Sequence, residues 1–234
     1  MGASAAPLEL DLGETCVPLE VRVHPRARRI GLRIDPADGH LVLTLPHERL
    51  LDDGLAFARR QRGWIARQHA AVPERVPFAD GAELPYLGEL HRVRHAPLRR
   101  GVVWREAGEI HVAGDAAFLA RRLNDWLRGE ARRLLAERAQ AFAARIDRRV
   151  TRLTVRDTRS RWGSCSEHGA LSFCWRLVLA PEPVLAYVAA HEVAHLKHLH
   201  HGPAFWDLVA ELCPDHKGQR RWLRRHGQAL HRYG

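Results

Sequence analysis

The chain has 234 residues, 46% hydrophobic and 27% charged, which suits one large domain or two small ones and excludes a mainly disordered polypeptide. No apolar run approaches the roughly 18 residues needed to cross a bilayer. The uncharged start, followed at once by Glu9 and Asp11, lacks the basic and apolar regions of a secretory signal, so a cytoplasmic address with no membrane partner is expected. The formal charge of +10 rests almost wholly on arginine, since Lys197 and Lys217 are the only lysines, and the arginine pairs are scattered along the chain. Charge alone therefore reads as solvated faces rather than as a nucleic-acid tract.

The first third reads as β structure. Leu19, Val21 and Val23 alternate with charged residues, as do Ile30, Leu32 and Ile34, and Asp38–Gly39 offers a turn into Leu41, Leu43 and Leu45. From Leu50 to His69 the period changes to that of a helix carrying Trp64. Pro77, Gly81, Pro85 and Gly88 punctuate the next segment, so strands resume near Leu90–Arg94, Val102–Arg105 and Glu109–Ala113. A long helix is expected from Ala116 to Ile146, on the spacing of Leu119, Leu123, Leu127, Leu134 and Phe142.

Beyond it come a strand at Leu153–Arg156, a polar stretch over Thr158–Ser166 and a strand over Leu171–Leu179. A helix then starts at Pro181–Pro183 and runs to Gly202–Pro203, followed by a second over Ala204–Leu212 and a third carrying Trp222. No internal repeat is apparent. The expected fold class is α+β: a β-rich N-terminal region with one helix over residues 1–114, then a helical part with a small sheet over 115–234.

The strongest chemical signal is His191-Glu192-Val193-Ala194-His195. Four residues advance a helix by about 400°, so the two imidazoles project within about 40° of one another and can hold one metal ion. Glu192 is turned about 100° from the first ligand, where it can act on a water without binding the metal. A chain this rich in histidine produces that pattern by chance only roughly 0.07 times.

A catalytic zinc takes a third protein ligand and keeps one position open. His198 lies one turn further along the same face, where three ligands would approach almost collinearly, so it is assigned to solvent or to a supporting role. The turn before Gly202–Pro203 favours His201, with His200 as the alternative. Cys16, Cys165, Cys174 and Cys213 contain no CxxC pair, which excludes a four-cysteine zinc ribbon. Cys165 lacks a histidine–carboxylate partner of its own and reads as a structural thiol. Phe205 and Trp206 are expected to anchor the following helix in the core.

Together, Arg161-Trp162-Gly163-Ser164-Cys165-Ser166, Phe173-Cys174-Trp175-Arg176-Leu177, the HExxH segment and His201-Gly202-Pro203-Ala204-Phe205-Trp206 resemble the YgjP-like zinc metallopeptidases, relatives of the SprT and WLM groups. The resemblance implies one zinc ion (Zn2+) per chain held by His191, His195 and His201, with Glu192 as catalytic base and a protein or peptide as substrate. Relatives commonly carry Asn at the position of His200. Tyr187, one turn before His191, and Arg161, Trp162 and Ser164 are further candidates, supporting a ligand or walling the substrate. Two other readings are a nucleic-acid-associated protein whose basic surface recruits the zinc domain, and a structural zinc domain without turnover.

Overall fold

The computed structural model describes residues 8–12, 16–35, 39–70, 74–99 and 101–234, which fall into two compact units, Met1–Arg75 and Val76–Gly234. The N-terminal stretch read for a signal and Asp38 of the expected turn lie outside the described residues.

In the first unit, strands β1 (Leu8–Asp11), β2 (Cys16–Val23), β3 (Gly31–Ile34) and β4 (Leu41–Leu45) form a sheet in the order β1-β2-β4-β3. The β2–β4 pair is parallel and the other two pairs are antiparallel. Helices α1 (Leu51–Arg60) and α2 (Arg62–Ala70) follow, with a break at Gln61 where the sequence suggested one continuous helix. Leu41, Leu43 and Leu45 are fully buried together with Val17, Ala58 and Ile65. Gly54 allows α1 to sit hard against β4, because a Cβ there would stand 2.6 Å from Leu45 Cδ2.

The second unit opens with strands β5 (Glu83–Tyr86), β6 (Glu89–Ala96), β7 (Val103–Glu106) and β8 (Glu109–Ala113), in the order β5-β6-β8-β7. Here too the middle pair is parallel and the outer pairs antiparallel, so the pattern of the first sheet is repeated. Strand β5 was not expected, because Pro85 breaks the strand pattern. Its edge position resolves this, since an edge proline need not donate to a ladder on both sides.

The 27-residue helix α3 (Leu119–Arg145) follows a 3-10 turn capped by the Asp115 side chain, which accepts from Ala117 N at 2.8 Å. Its stripe of Leu119, Leu123, Leu127, Ala131, Leu135, Ala139 and Ala143 repeats every fourth residue and is buried throughout. The leucines at its start share a core with Val93, Ile110 and Val112 of the preceding sheet. The break expected near residue 115 therefore falls inside the second unit, and the division lies between Arg75 and Val76.

The small sheet consists of β9 (Arg152–Arg156), β10 (Gly163–Cys165) and β11 (Ala170–Cys174), in the order β10-β11-β9. Strand β10 lies within the stretch expected to be only polar. Strand β11 stops at Cys174 instead of reaching Leu179, and Trp175–Leu179 is a buried 3-10 turn. The mostly apolar stretch Leu171–Leu179, with only Ser172 and Arg176 polar, carries too little pattern to separate the two conformations. Helices α4 (Glu182–Ala194), α5 (Pro203–Leu212) and α6 (His216–His226) complete the unit.

Arg176 is 6% exposed and ties the C-terminus to this sheet. It pairs with Asp157 at 3.1 Å and donates to the carbonyl oxygens of Leu230, at 3.3 Å, and Tyr233. Arg176→Leu should cost about 2 kcal/mol, because both carbonyls lose a charged donor. Urea denaturation checks the loss, and faster amide exchange over residues 230–234 should accompany it.

Candidate metal centre

Helix α4 is held in place by its apolar residues. Val184, Leu185, Val188, Ala189, Val193 and Ala194 are buried, leaving little freedom for the end that carries His191 and Glu192. The helix stops at Ala194 rather than running to Gly202, and His195 occupies its C-cap with φ −65° and ψ −16°. The chain then turns and returns through His201 into α5. That reversal solves the collinearity problem, since the third imidazole arrives from outside the helix.

His191, His195 and His201 form a group whose candidate ligand atoms all lie within 4.8 Å of one another. His200 is not in the group, so of the two alternatives the fold brings His201 to the other histidines. Phe205 packs against all three, with ring centroids 4.9, 4.6 and 4.8 Å from His191, His195 and His201. Trp206 stacks on His201 at 5.8 Å, and Arg220 lies over the Trp206 ring at 4.7 Å.

The hydrogen bonds fit a ring set prepared for a cation. His195 Nδ1 donates to the carbonyl of His198 at 3.0 Å, which leaves Nε2 with its lone pair. His198 thus supports the site through its backbone, a role that its side chain did not suggest. His191 Nε2 faces His201 Nε2 at 3.2 Å, while the buried Nδ1 of His191 has no protein partner.

Burial pushes His191 down to about 3, helped by the neighbouring His195, His201 and Arg220, so its ring is neutral at physiological pH. Burial lowers His195 as well, against the bond to His198. The facing Nε2 atoms of His191 and His201, with the free Nε2 lone pair of His195 nearby, suit a borderline-soft metal ion. No cysteine joins the group among the described residues, and the thiol of Cys165 is pushed up to about 11, chiefly by burial and then by Glu192.

Glu192 is 6% exposed, and burial lifts its carboxyl to about 7 against the opposing charge of Arg161. The carboxylate lies against Gly163 of β10, where an added Cβ would stand 2.5 Å from Oε1 and 2.6 Å from Cγ. Gly163 belongs to the Arg161–Ser166 motif, yet its own role could not be read without its neighbour across the fold.

Trp162 and Tyr187 line a cavity of about 180 Å3 together with Gly163, His191 and Glu192. Tyr187 is buried, and its ring meets His191 edge-on at 6.0 Å. Arg161 and Ser164 instead line a separate groove of about 440 Å3 on the small sheet. The sequence candidates are therefore divided between two neighbouring concavities.

A three-histidine group with a buried carboxylate beside it, on an α+β scaffold, is the arrangement of a metal-binding centre of the kind found in metal-dependent hydrolases. The family model of the YgjP-like metallopeptidase domain matches residues 28–226 of the 234, and the chain belongs to that family. Comparisons with curated proteins and with solved structures find no match. Among the described residues no helix is long and apolar enough to cross a membrane.

Two linkages of opposite sign act on the metal-free protein. The raised carboxyl of Glu192 binds protons more tightly when folded, so its contribution to stability falls as pH rises from about 4.5 to about 7. The lowered imidazole of His191 does the reverse between about 3 and 6.5. Glu192→Gln removes only the first linkage. After chelation, this variant should gain on the wild type by roughly 3 kcal/mol across pH 4.5 to 7. Urea titrations at several pH values measure the gap, and a gap independent of pH would mean the carboxyl titrates normally.

Proposed function

We propose that the protein is a zinc-dependent metallopeptidase in which His191, His195 and His201 hold one zinc ion per chain and Glu192 is the catalytic base. The observation that carries this reading is the convergence of three imidazoles next to a buried carboxylate. When bound, zinc supplies Lewis acidity towards a carbonyl oxygen and towards water.

The residues of the chain do the rest. A carboxylate with a pKa raised towards neutrality can take a proton from the attacking water and return it to the leaving amide nitrogen. Gly163 keeps the space that Glu192 occupies. His198, through its carbonyl, holds His195 in the tautomer that presents Nε2. Tyr187 and Trp162 wall the adjoining cavity and restrict water there, and the Tyr187 hydroxyl can donate to a substrate oxygen. Membership of a metallopeptidase family supports a protein or peptide as the substrate.

A structural zinc site is less well supported. It would close its coordination shell and would have no use for a buried base, whereas no cysteine joins this group among the described residues. The cysteines Cys16, Cys165, Cys174 and Cys213 are all unpaired, in keeping with a reducing compartment, and we assign the protein to the cytoplasm.

Purified wild type should carry about one zinc per chain and cleave unfolded protein. Glu192→Gln should keep the metal and lose cleavage by at least about 100-fold. His201→Ala should lose most of the metal while remaining folded by circular dichroism. Bound zinc with equal cleavage by wild type and Glu192→Gln would remove the proposed mechanism. Gly163→Ala gives an independent check: its methyl must displace the carboxylate, so activity should fall roughly tenfold or more with zinc retained.

A further inference from the structure

The outer face of the small sheet carries a feature that the proposed mechanism does not use. In β9, residues 152, 154 and 156 share one face of the strand, while Leu153 and Val155 turn towards the core. Register places Thr154 beside Ser172 of β11, and Ser172 beside Ser164 of β10. With Arg161 from the preceding loop, these residues line the 440 Å3 groove: three arginines, several hydroxyls and no carboxylate.

Several arginines of this chain meet a carboxylate, some on their own strand or helix face, as Arg22 does with Glu20 and Arg133 with Glu130, and others across elements, as Arg94 does with Glu109 and Arg138 with Glu182. Arg152, Arg156 and Arg161 are in no ion pair among the described residues, and they share one groove whose lining holds no carboxylate. Their positions are nevertheless fixed. Thr154 Oγ1 donates to Leu171 O at 3.4 Å, and Thr158 Oγ1 donates to Arg161 O at 2.8 Å, which anchors the loop carrying Arg161.

The groove also adjoins the candidate centre. Arg161 acts electrostatically on Glu192, and β10, which supplies Ser164 to the groove, supplies Gly163 to the Glu192 side. Strand β10 is an edge strand of this sheet, paired with β11.

We propose that this groove is a specificity subsite for acidic side chains of the peptide substrate, with Arg152 and Arg156 as the specificity-determining residues. This rests on the metallopeptidase reading and deepens it. Guanidinium groups bind carboxylates through paired, charge-assisted hydrogen bonds, and serine and threonine hydroxyls complete such a shell. Arg152 and Arg156 are four residues apart on a strand, roughly 13 Å, and an extended peptide presents same-face side chains at the matching repeat of roughly 6.8 Å. A single-stranded nucleic acid fits less well, because no aromatic ring lines the groove to stack on a base.

The test uses the full-length zinc-loaded protein and two peptides identical except for three Glu in one and three Gln in the other, placed near the cleaved bond. Wild type should show roughly tenfold higher kcat/KM on the Glu peptide, and added salt should shrink the difference. Arg152→Gln combined with Arg156→Gln should bring the ratio close to one. Arg92→Gln, which removes charge on the distant strand β6, should leave the ratio as in wild type. Equal cleavage of both peptides by wild type would overturn the subsite and leave the peptidase standing.

Should neither peptide be cut, the peptidase reading fails, and binding of fluorescent peptides to Glu192→Gln then decides the subsite separately. A preference for the Glu peptide that disappears in the double arginine variant sustains it, and equal binding of the two peptides overturns it. A single-stranded oligonucleotide that displaces the Glu peptide at lower concentration than unlabelled peptide does would assign the groove to nucleic acid instead.

Discussion

The candidate centre depends on the abrupt end of α4 and on what packs against it. If the helix continued past Ala194, His198 would lie further along the His191 face and His201 would be carried away from both. Instead the helix closes at His195, whose ring bonds the carbonyl of His198, and the chain folds back onto Phe205. Phe205 is fully buried and touches all three imidazoles, so the start of α5 and the end of α4 are locked together by one aromatic ring. Hydrophobic burial thus positions polar groups that, lacking carboxylate partners, could not position themselves.

The same economy operates on the other side of Glu192. A carboxylate that is 6% exposed needs a close, shaped neighbour, and β10 provides one by having no side chain at residue 163. Strand β10 is only three residues long, yet it forms one wall of the centre through Gly163 and one wall of the basic groove through Ser164. Alternation along a strand sends neighbouring residues to opposite faces, so one short edge strand serves both concavities. The Arg161 charge restrains the burial-driven rise of the carboxyl pKa and keeps Glu192 able to exchange protons near neutrality.

What could be read from the sequence followed from how local each signal is. His191 and His195 are related by helical geometry alone, so their spacing sufficed, and the need for a non-collinear third ligand pointed to the turn at His201. The leucine stripe of α3 and the alternation in β2, β3 and β4 are likewise local patterns. Gly163 acts on Glu192, which lies elsewhere in the chain, whereas the carbonyl of His198 and the stacking of Trp206 on His201 depend on the turn after α4, where the sequence suggested that the helix continued. The repeated sheet order also escaped notice, because the two sheets bury different residues: Leu41, Leu43 and Leu45 in one strand, Ile110 and Val112 in its counterpart. Topology is kept there while side-chain identity is not. The end of β11 at Cys174 lies inside a mostly apolar stretch that a strand and a buried 3-10 turn fill equally well.

The formal charge of +10 gains meaning once individual arginines are followed. Arg176 is consumed in the core, holding Asp157 and two C-terminal carbonyls. Arg145 donates to the carbonyls of Glu211 and Leu212, at 2.8 and 3.2 Å, and satisfies the exposed end of α5. Arg133 is spent on Glu130, which also accepts from the Tyr86 hydroxyl at 2.6 Å. Pairing with Asp157 and Glu130 offsets the charge of Arg176 and Arg133, so little of it reaches a ligand. The arginines of the β9 face, Arg152 and Arg156, are exposed and in no ion pair among the described residues, and Arg161 of the following loop acts on the buried carboxylate of Glu192. A basic protein can spend part of its charge on structure, and it is the local, uncompensated part that a ligand meets.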